Sequence, residues 1–203
     1  MLAIIDYGVG NLFSLISSLR FLGVEADVVG DEAGLRRADR LLLPGVGAFS
    51  DAVAKLRATG LDKVLCEETA AGKPLLGVCL GMQMLLERSY EFGEYEGLGL
   101  IPGCVRYMDN AVEQGLKLPQ IGWNALKFEN GRHPLFRQVE EGEYVYFVHS
   151  YHAVDCGSAL IATTDYGGPR TAAVASGNVM GTQFHPEKSG EVGLRILKAF
   201  CDY

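Results

Sequence analysis

Two patterns of hydrophobic and polar positions alternate through the first half of the chain. Short apolar runs, each as long as a buried strand, are followed by segments that repeat apolar residues at helical spacing. The runs predict strands at residues 2–6, 25–29, 40–44 and 74–78. Helices are predicted from the candidate N-cap Asn11 to Gly23, over residues 49–71 with a break near Gly60, and from Cys79 through Leu86 and Glu87. This alternation favours a parallel sheet covered by helices on both faces.

The second half is dominated by strand patterns separated by turn residues. Strands are predicted at residues 105–108, 123–128, 143–149, 151–155, 160–164, 172–176 and 179–184, before a final helix that carries Ile196 and Phe200. Successive strands joined by turns favour antiparallel pairing. Residues 108–118 fit no motif and are interpreted as a variable loop. The sequence therefore predicts one α/β domain over residues 1–203, with a mixed, largely parallel central sheet and antiparallel strands in its second half.

Charge and composition narrow the possible partners and location. The net charge is −7 and the basic residues are scattered, which argues against nucleic acid and anionic membranes as partners. The N-terminus lacks a signal-peptide pattern and no apolar run is long enough for a bilayer, so a soluble protein is expected. Five widely spaced cysteines without a CxxC pair favour the reducing cytoplasm and no metal site.

Two glycine-rich turns follow predicted strands. The first, DYGVGN, lies where a dinucleotide fingerprint would, but that fingerprint needs a glycine where Phe13 stands. A tight turn is therefore the better interpretation, and no cofactor is expected. The second, PGVGAF, has glycines on both sides of Val46, so its backbone could point amides at a ligand or flip a peptide.

Cys79 lies in the stretch LLGVCLGMQ, at the point where a predicted strand turns into a helix. A single cysteine in an apolar run is usually an unreactive residue of the hydrophobic core. Here Gly77 and Gly81 stand two residues before and after it, the arrangement that relieves crowding around a strained nucleophile turn. The following helix N-terminus favours thiolate, and the amide of Leu80 could point to the oxygen of a tetrahedral intermediate.

A thiolate nucleophile needs a proton carrier, and His185 is the best candidate. It directly follows the last predicted strand, in QFHPEKS, so it should emerge near Cys79. Glu187, two residues later, can orient the imidazole and stabilise its charged form. The strained turn at Cys79 and the sequence His185-Pro186-Glu187 together predict a catalytic triad of Cys79, His185 and Glu187.

PGVGAF, GVCLGMQ and QFHPEKS, in this order, resemble the class I (triad-type) glutamine amidotransferases, a family with a flavodoxin-like fold. DYGVGN, PGVG and PQIGWN resemble, within that family, the glutaminase subunits of imidazole glycerol phosphate synthases. The similarity extends from Asp6 to the C-terminal helix. It implies an enzyme that hydrolyses glutamine to glutamate and ammonia through a cysteinyl thioester.

The resemblance also implies roles for further residues. Backbone amides at Val46, Gly47 and Leu80 would hold the oxyanion, after the peptide around Val46 has reoriented. The implied glutamine contacts are Gly45, Gln83, Glu91, His149, Ser150 and Tyr151, the last three lining its α-carboxylate.

The implied partner is a cyclase subunit with a β/α barrel, in a heterodimer that serves histidine biosynthesis. Ammonia would pass to a ribonucleotide there, giving imidazole glycerol phosphate and an aminoimidazole carboxamide ribotide. Trp123 is either an apolar anchor of this interface or a core residue of its strand. Asn11 and Lys188 are further interface candidates.

Three other functions stay open at this point. The chain could be the glutaminase subunit of another amidotransferase, although PGVG and IGWN argue against that. It could be a catalytically inactive binding module, although both the cysteine and HPE are present. It could also be a stand-alone cysteine peptidase or hydrolase, which would use the same residues without a partner.

Overall fold

The computed structural model describes residues 1–203, apart from the side chain at position 110, as strands and helices that alternate in the first half. The strands are β1 (Leu2–Ile5), β2 (Ala26–Val29), β3 (Arg40–Leu43), β4 (Leu75–Val78), β5 (Leu86–Ser89), β6 (Tyr95–Glu96), β7 (Ile101–Tyr107), β8 (Gln120–Ala125), β9 (Lys127–Phe128), β10 (Tyr144–His149), β11 (Tyr151–Val154), β12 (Leu160–Asp165), β13 (Pro169–Ser176) and β14 (Val179–Thr182). The helices are α1 (Leu12–Phe21), α2 (Glu32–Arg37), α3 (Phe49–Ala58), α4 (Leu61–Ala70), α5 (Leu80–Leu85), α6 (Asp109–Glu113) and α7 (Gly190–Cys201).

The central sheet has eight strands in the order β2-β1-β3-β4-β14-β13-β12-β9. Pairing is parallel from β2 to β14 and antiparallel from β14 to β9. Two smaller sheets pair β10 with β8 and order β11-β7-β5-β6. The predicted mixed, largely parallel sheet with antiparallel strands in the second half is therefore confirmed.

Helices cover both faces of the central sheet because neighbouring residues of its strands point to opposite sides. Ile5 packs in one apolar core with residues of α2, α3 and α4. Ile4 packs in a second core with residues of α1 and α7. Strands buried on both faces need no polar alternation, which explains the continuous apolar runs in the sequence.

The helix predicted after Cys79 is shorter than its apolar pattern suggests. It ends at Leu85, and the residues predicted to continue it, Leu86 and Glu87, begin strand β5. The carbonyls of Met84 and Leu85 accept hydrogen bonds from the amides of Leu98 and Leu100. A distant loop therefore takes the place of the next helical turn, which local spacing cannot reveal.

Other boundaries show where local signals succeed or fail. The predicted break at Gly60 is confirmed, because this residue has a φ of 73° between α3 and α4. Helix α2 was not predicted, and the predicted strand at 123–128 is divided at the buried Leu126. The loop interpretation of 108–118 is wrong in part, because α6 lies within it.

Among the described residues, none of the helices is long and apolar enough to cross a membrane.

Candidate active site

A cavity of about 270 Å³ opens at the carboxyl ends of β4 and β14, which are neighbours in the central sheet. Cys79 directly follows β4, and His185 lies three residues after β14. The residues lining the cavity are Val46, Gly47, Cys79, Leu80, Gln83, Glu91, Val148, His149, Ser150, Tyr151, His185 and Lys188. Most of the residues predicted for a catalytic or substrate-binding role therefore share one cavity. This is the usual position of a site in a parallel sheet.

The backbone at Cys79 has an unusual conformation for a residue with a side chain. Its φ is 56° and its ψ −110°, while its amide donates to the Thr182 carbonyl at 2.7 Å. The turn is possible because the flanking residues have no Cβ: an added Cβ would lie 2.7 Å from the Gly81 carbonyl carbon at Gly77 and 1.9 Å from the Leu43 carbonyl oxygen at Gly81. Strain of this kind is typical of functional sites and persists only where the surroundings enforce it.

His185 and Glu187 form a buried pair beside Cys79. The Nδ1 atom of His185 lies 2.8 Å from Oε1 of Glu187. Burial lowers the pKa of His185, but its interactions with Cys79 and Glu187 outweigh this effect and raise the pKa above its ordinary value. A carboxylate at Nδ1 leaves Nε2 to exchange a proton with the sulfur. A thiol, an imidazole and a carboxylate in this order can carry out acyl transfer.

A hydroxyl group holds the backbone of His185 in place. Ser189 Oγ donates to the His185 carbonyl at 2.6 Å and accepts from the Tyr146 amide at 2.9 Å. The His185 amide in turn donates to the Tyr146 carbonyl at 3.0 Å. The histidine is therefore tied to strand β10 as well as to its own turn.

The loop between β3 and α3 forms another wall of the cavity. Val46 is 41% exposed, and Gly47 has a φ of 94° with open space around it. Gly45, predicted as a substrate contact, instead lies buried outside the cavity lining, because it packs against the start of α5; an added Cβ would lie 2.7 Å from the Gly81 amide nitrogen. Pro44 is held by the Tyr7 hydroxyl, which donates to its carbonyl at 2.8 Å.

The predicted glutamine contacts surround the opening in front of Cys79. Gln83 is nearly buried, and its Nε2 donates to the Tyr151 carbonyl at 3.0 Å. Glu91 accepts a hydrogen bond of 2.6 Å from the Phe49 amide. Burial raises the pKa of Glu91, and the bond from Phe49 opposes this effect. The cavity thus offers a carboxylate and an amide within reach of one small ligand.

The residues that sequence reasoning missed lie behind the cavity. Gln183 is fully buried, with Nε2 3.8 Å from the Cys79 sulfur. Burial and the charge of Cys79 raise the pKa of Tyr7. Gln183 lies in the motif QFHPEKS and Tyr7 in DYGVGN. Their position in these motifs is the only sequence feature that could have indicated a role at the site.

The predicted interface residues lie on exposed surface at or near the cavity. Lys188 is exposed and lines the cavity, and Asn11 is exposed before α1, which contacts the turn Pro186–Lys188. Trp123 is 51% exposed, with its ring centroid 6.0 Å from that of Tyr146. The core interpretation of Trp123 is therefore wrong.

Two buried histidines, His149 in the cavity lining and His152 on the same strand as Tyr151, are held uncharged. Burial lowers the pKa of His149 to about 4, helped by the charges of His185 and Arg170 and opposed by its hydrogen bond with the Tyr151 carbonyl. Burial lowers the pKa of His152 to about 4 as well, helped by Arg170 and His149. Each histidine would take up its proton more readily in the unfolded chain.

This difference in pKa predicts a loss of stability in mild acid that His152→Leu should reduce. A histidine with a depressed folded pKa contributes its full stability above the unfolded pKa, near 6.5, and loses it as pH falls towards 4. Between pH 7.5 and 5, removing one such group should recover about 2 kcal/mol of the free energy of unfolding. Urea unfolding followed by circular dichroism at the two pH values measures this change.

His133→Leu is the matched control, because His133 is only half-buried. It should recover less of the acid-induced loss than His152→Leu. If wild type and His152→Leu lose equal stability between the two pH values, His152 is not kept neutral by its surroundings.

Comparison with known families places the whole chain in one group. A family model described as "Glutamine amidotransferase class-I" matches residues 3–202. Imidazole glycerol phosphate synthase subunit HisH of Wolinella succinogenes is 46% identical, covering 100% of this chain and 99% of that protein. The subunit of the same name from Syntrophotalea carbinolica is 48% identical and covers 100% of both chains. The one from Geobacillus sp. is 49% identical, covering 99% of this chain and 96% of that protein.

Solved structures share the fold at lower sequence identity. "Structure of PurLQS from Thermotoga maritima" aligns with a TM-score of 0.76 and 23% identity, covering 100% of this chain and 97% of that chain. "Crystal structure of glutamine amidotransferase" aligns with a TM-score of 0.76 and 20% identity, covering 98% of this chain and 97% of that chain. At such low identity these structures bear on the fold alone.

Proposed function

This chain belongs to the class-I glutamine amidotransferase family, and from its full-length similarity to the HisH subunits we infer that it is the glutaminase subunit of an imidazole glycerol phosphate synthase. The similarity to subunits of that enzyme extends over the whole chain at 46–49% identity. Residues 1–203 would act as one glutaminase domain. The other interpretations, an unrelated hydrolase or an inactive module, lack support of this kind.

One observation carries the catalytic proposal: Cys79, at the strained turn after β4, shares a cavity with His185, whose Nδ1 is paired behind the cavity lining with the buried Glu187 carboxylate. We assign Cys79 as nucleophile, His185 as proton carrier and Glu187 as the group that orients His185. The raised pKa of His185 favours its protonated form, the imidazolium, which stabilises a thiolate beside it. In such an ion pair Cys79 is the nucleophile, and His185 carries the proton that the leaving ammonia needs.

The first half of the reaction would form a thioester. The Cys79 thiolate attacks the carboxamide carbon of glutamine, and the carbonyl electrons move to oxygen. The tetrahedral intermediate collapses, breaking the bond from carbon to nitrogen, while His185 gives its proton to the departing ammonia. Glutamate remains bound to the sulfur as an acyl group.

The second half would release glutamate. The now neutral His185 takes a proton from water, which attacks the thioester carbon. Collapse of the second tetrahedral intermediate breaks the bond from carbon to sulfur and returns Cys79 as thiolate, with His185 again protonated. Glu187 keeps Nδ1 protonated throughout, so Nε2 carries every transfer.

The oxyanion of both intermediates needs hydrogen-bond donors. We assign these to the amides of Leu80, at the first residue of α5, and of Val46 or Gly47 in the exposed loop. Gly47 has a positive φ, and an added Cβ there would meet no atom within 4 Å; glycine also lets the backbone adopt conformations that other residues rarely reach, which suits this loop to reorient. A loop that must reorient leaves the resting enzyme with an incomplete oxyanion hole.

The remaining cavity residues would recognise the amino acid end of glutamine. The carboxylate of Glu91 is suited to the α-ammonium, and the polar loop His149, Ser150 and Tyr151 to the α-carboxylate. A cavity of about 270 Å³ has room for a small amino acid such as glutamine.

The partner would be a cyclase subunit with a β/α barrel that receives the ammonia. Ammonia released into water at neutral pH would be protonated and lose its nucleophilicity, so a dry route between the sites is needed. Exposed apolar side chains at Ile121 and Trp123, with Lys188 at the cavity, make this surface the proposed interface. Five free cysteines are consistent with a cytoplasmic location, which we propose for the complex.

The proposed function predicts that glutaminase activity depends on the partner. Glutamate release should be slow for this chain alone and rise about 10²-fold or more with the cyclase subunit and its nucleotide ligand, because one missing oxyanion donor costs that much. A coupled glutamate assay on the chain alone, with the partner, and with partner plus nucleotide measures the effect.

An unrelated β/α barrel protein at the same concentration serves as the control. Full glutaminase activity of the chain alone would contradict the proposed subunit role, and so would equal stimulation by the unrelated barrel.

A further inference from the structure

We propose that Gln183 is a positioning residue that orients Gln83 and directs a hydrogen-bond donor at the Cys79 sulfur. Its side chain is fully buried between the two residues. Its Oε1 accepts from Gln83 Nε2 at 2.9 Å, and its Nε2 lies 3.8 Å from Cys79 Sγ. Gln183 is neither a member of the proposed triad nor one of the proposed oxyanion donors.

The orientation of both amides follows from one backbone carbonyl. The Tyr151 oxygen can only accept, so the group of Gln83 that faces it at 3.0 Å must be the NH₂. The second hydrogen of that NH₂ then points to Gln183, whose facing atom must be its oxygen. The remaining end of the Gln183 amide, its NH₂, is therefore directed at sulfur.

This arrangement determines what Gln83 can offer a ligand. Both of its amide hydrogens are used within the protein, by the Tyr151 carbonyl and by Gln183. Only its Oε1 is left to face the cavity that Gln83 lines, so this wall accepts hydrogen bonds from an N–H group of the substrate. Without Gln183, the Gln83 amide would keep only the Tyr151 carbonyl as a partner, and its side chain would be held by one hydrogen bond instead of two.

The second contact acts on the charge of Cys79. A donor directed at sulfur interacts more strongly with a thiolate than with a thiol, because hydrogen bonds to charged groups are stronger. His185 supplies the opposite charge, and Gln183 adds a neutral donor that cannot take the proton away. The proposed contact would therefore favour the Cys79 thiolate that attacks glutamine.

Two nearly isosteric variants, Gln183→Met and Gln183→Leu, remove the amide while filling the space. The full-length chain is alkylated with iodoacetamide across a pH series, and modification of Cys79 is followed by mass spectrometry of its peptide. Loss of the donor should move the midpoint of this pH dependence upwards by about one unit. In the complex, the KM for glutamine should rise several-fold because Gln83 is no longer fixed.

Gln120→Met is the matched control, since Gln120 is also a fully buried glutamine but donates to Asn124. Its Cys79 midpoint should equal that of wild type. Midpoints within about 0.2 unit of wild type in both Gln183 variants, or the same shift in Gln120→Met, would overturn the inference.

The inference rests on the proposed role of Cys79, and the two can fail separately. Alkylation reports on the thiolate without any turnover. Glutaminase activity retained in Cys79→Ala would refute the proposed function, while unchanged alkylation in the Gln183 variants would refute only the role of Gln183.

Discussion

Cys79→Ala is expected to abolish the use of glutamine by the complex, by about 10⁴-fold or more. Without the thiol no thioester can form, and the His185 and Glu187 pair has no nucleophile to deprotonate. The cyclase site would be untouched, so the same complex should still use ammonium salts as nitrogen source at its wild-type rate. Parallel assays with glutamine and with ammonium chloride at alkaline pH measure the two activities.

Cys66→Ala is the matched control, because Cys66 lies on α4 and does not line the cavity. It should retain both activities. If Cys79→Ala kept its glutamine-dependent activity, the nucleophile would have to be another group. If it lost the ammonium-dependent activity as well, the substitution would have damaged the complex as a whole.

The parts of the site that could be predicted from sequence have local causes. The turn at Cys79 needs glycines two residues away on each side, and the contact between His185 and Glu187 spans two residues. Strand-helix alternation then predicts that both motifs end at the same edge of a parallel sheet. The structure brings Cys79 and His185 into one cavity for that reason.

The parts that could not be predicted depend on distant partners. The α5 helix ends at Leu85 because amides of Leu98 and Leu100 take its last carbonyls. Gly45 is excluded from the cavity by the close approach of α5, which no spacing within PGVGAF indicates. Gln183 and Gln83 lie 100 positions apart, so their shared hydrogen bond has no local pattern.

Gly81→Ala is the second change for which a large effect is expected. Helix propensity alone predicts a gain of about 1 kcal/mol, because Gly81 lies within α5 and alanine is the better helix former. An added Cβ would, however, lie 1.9 Å from the carbonyl oxygen of Leu43, an atom of the β3 backbone. Either β3 or α5 must move, and both are buried backbone elements of the core, so the free energy of unfolding should fall by about 3 kcal/mol or more.

Gly60→Ala separates this steric effect from backbone strain. Gly60 has a φ of 73° and nothing within 4 Å of an added Cβ, so its substitution costs only conformational energy, about 1 kcal/mol. Urea unfolding of both variants should therefore give the larger loss of stability at Gly81, although the helical backbone there is favourable for alanine.

The displacement of α5 in Gly81→Ala should also weaken glutaminase activity in the complex, because Leu80 and Cys79 move with the start of α5. A Gly81→Ala variant as stable as wild type would mean that β3 and α5 do not pack through this glycine, and the support for the strained turn at Cys79 would be lost with it.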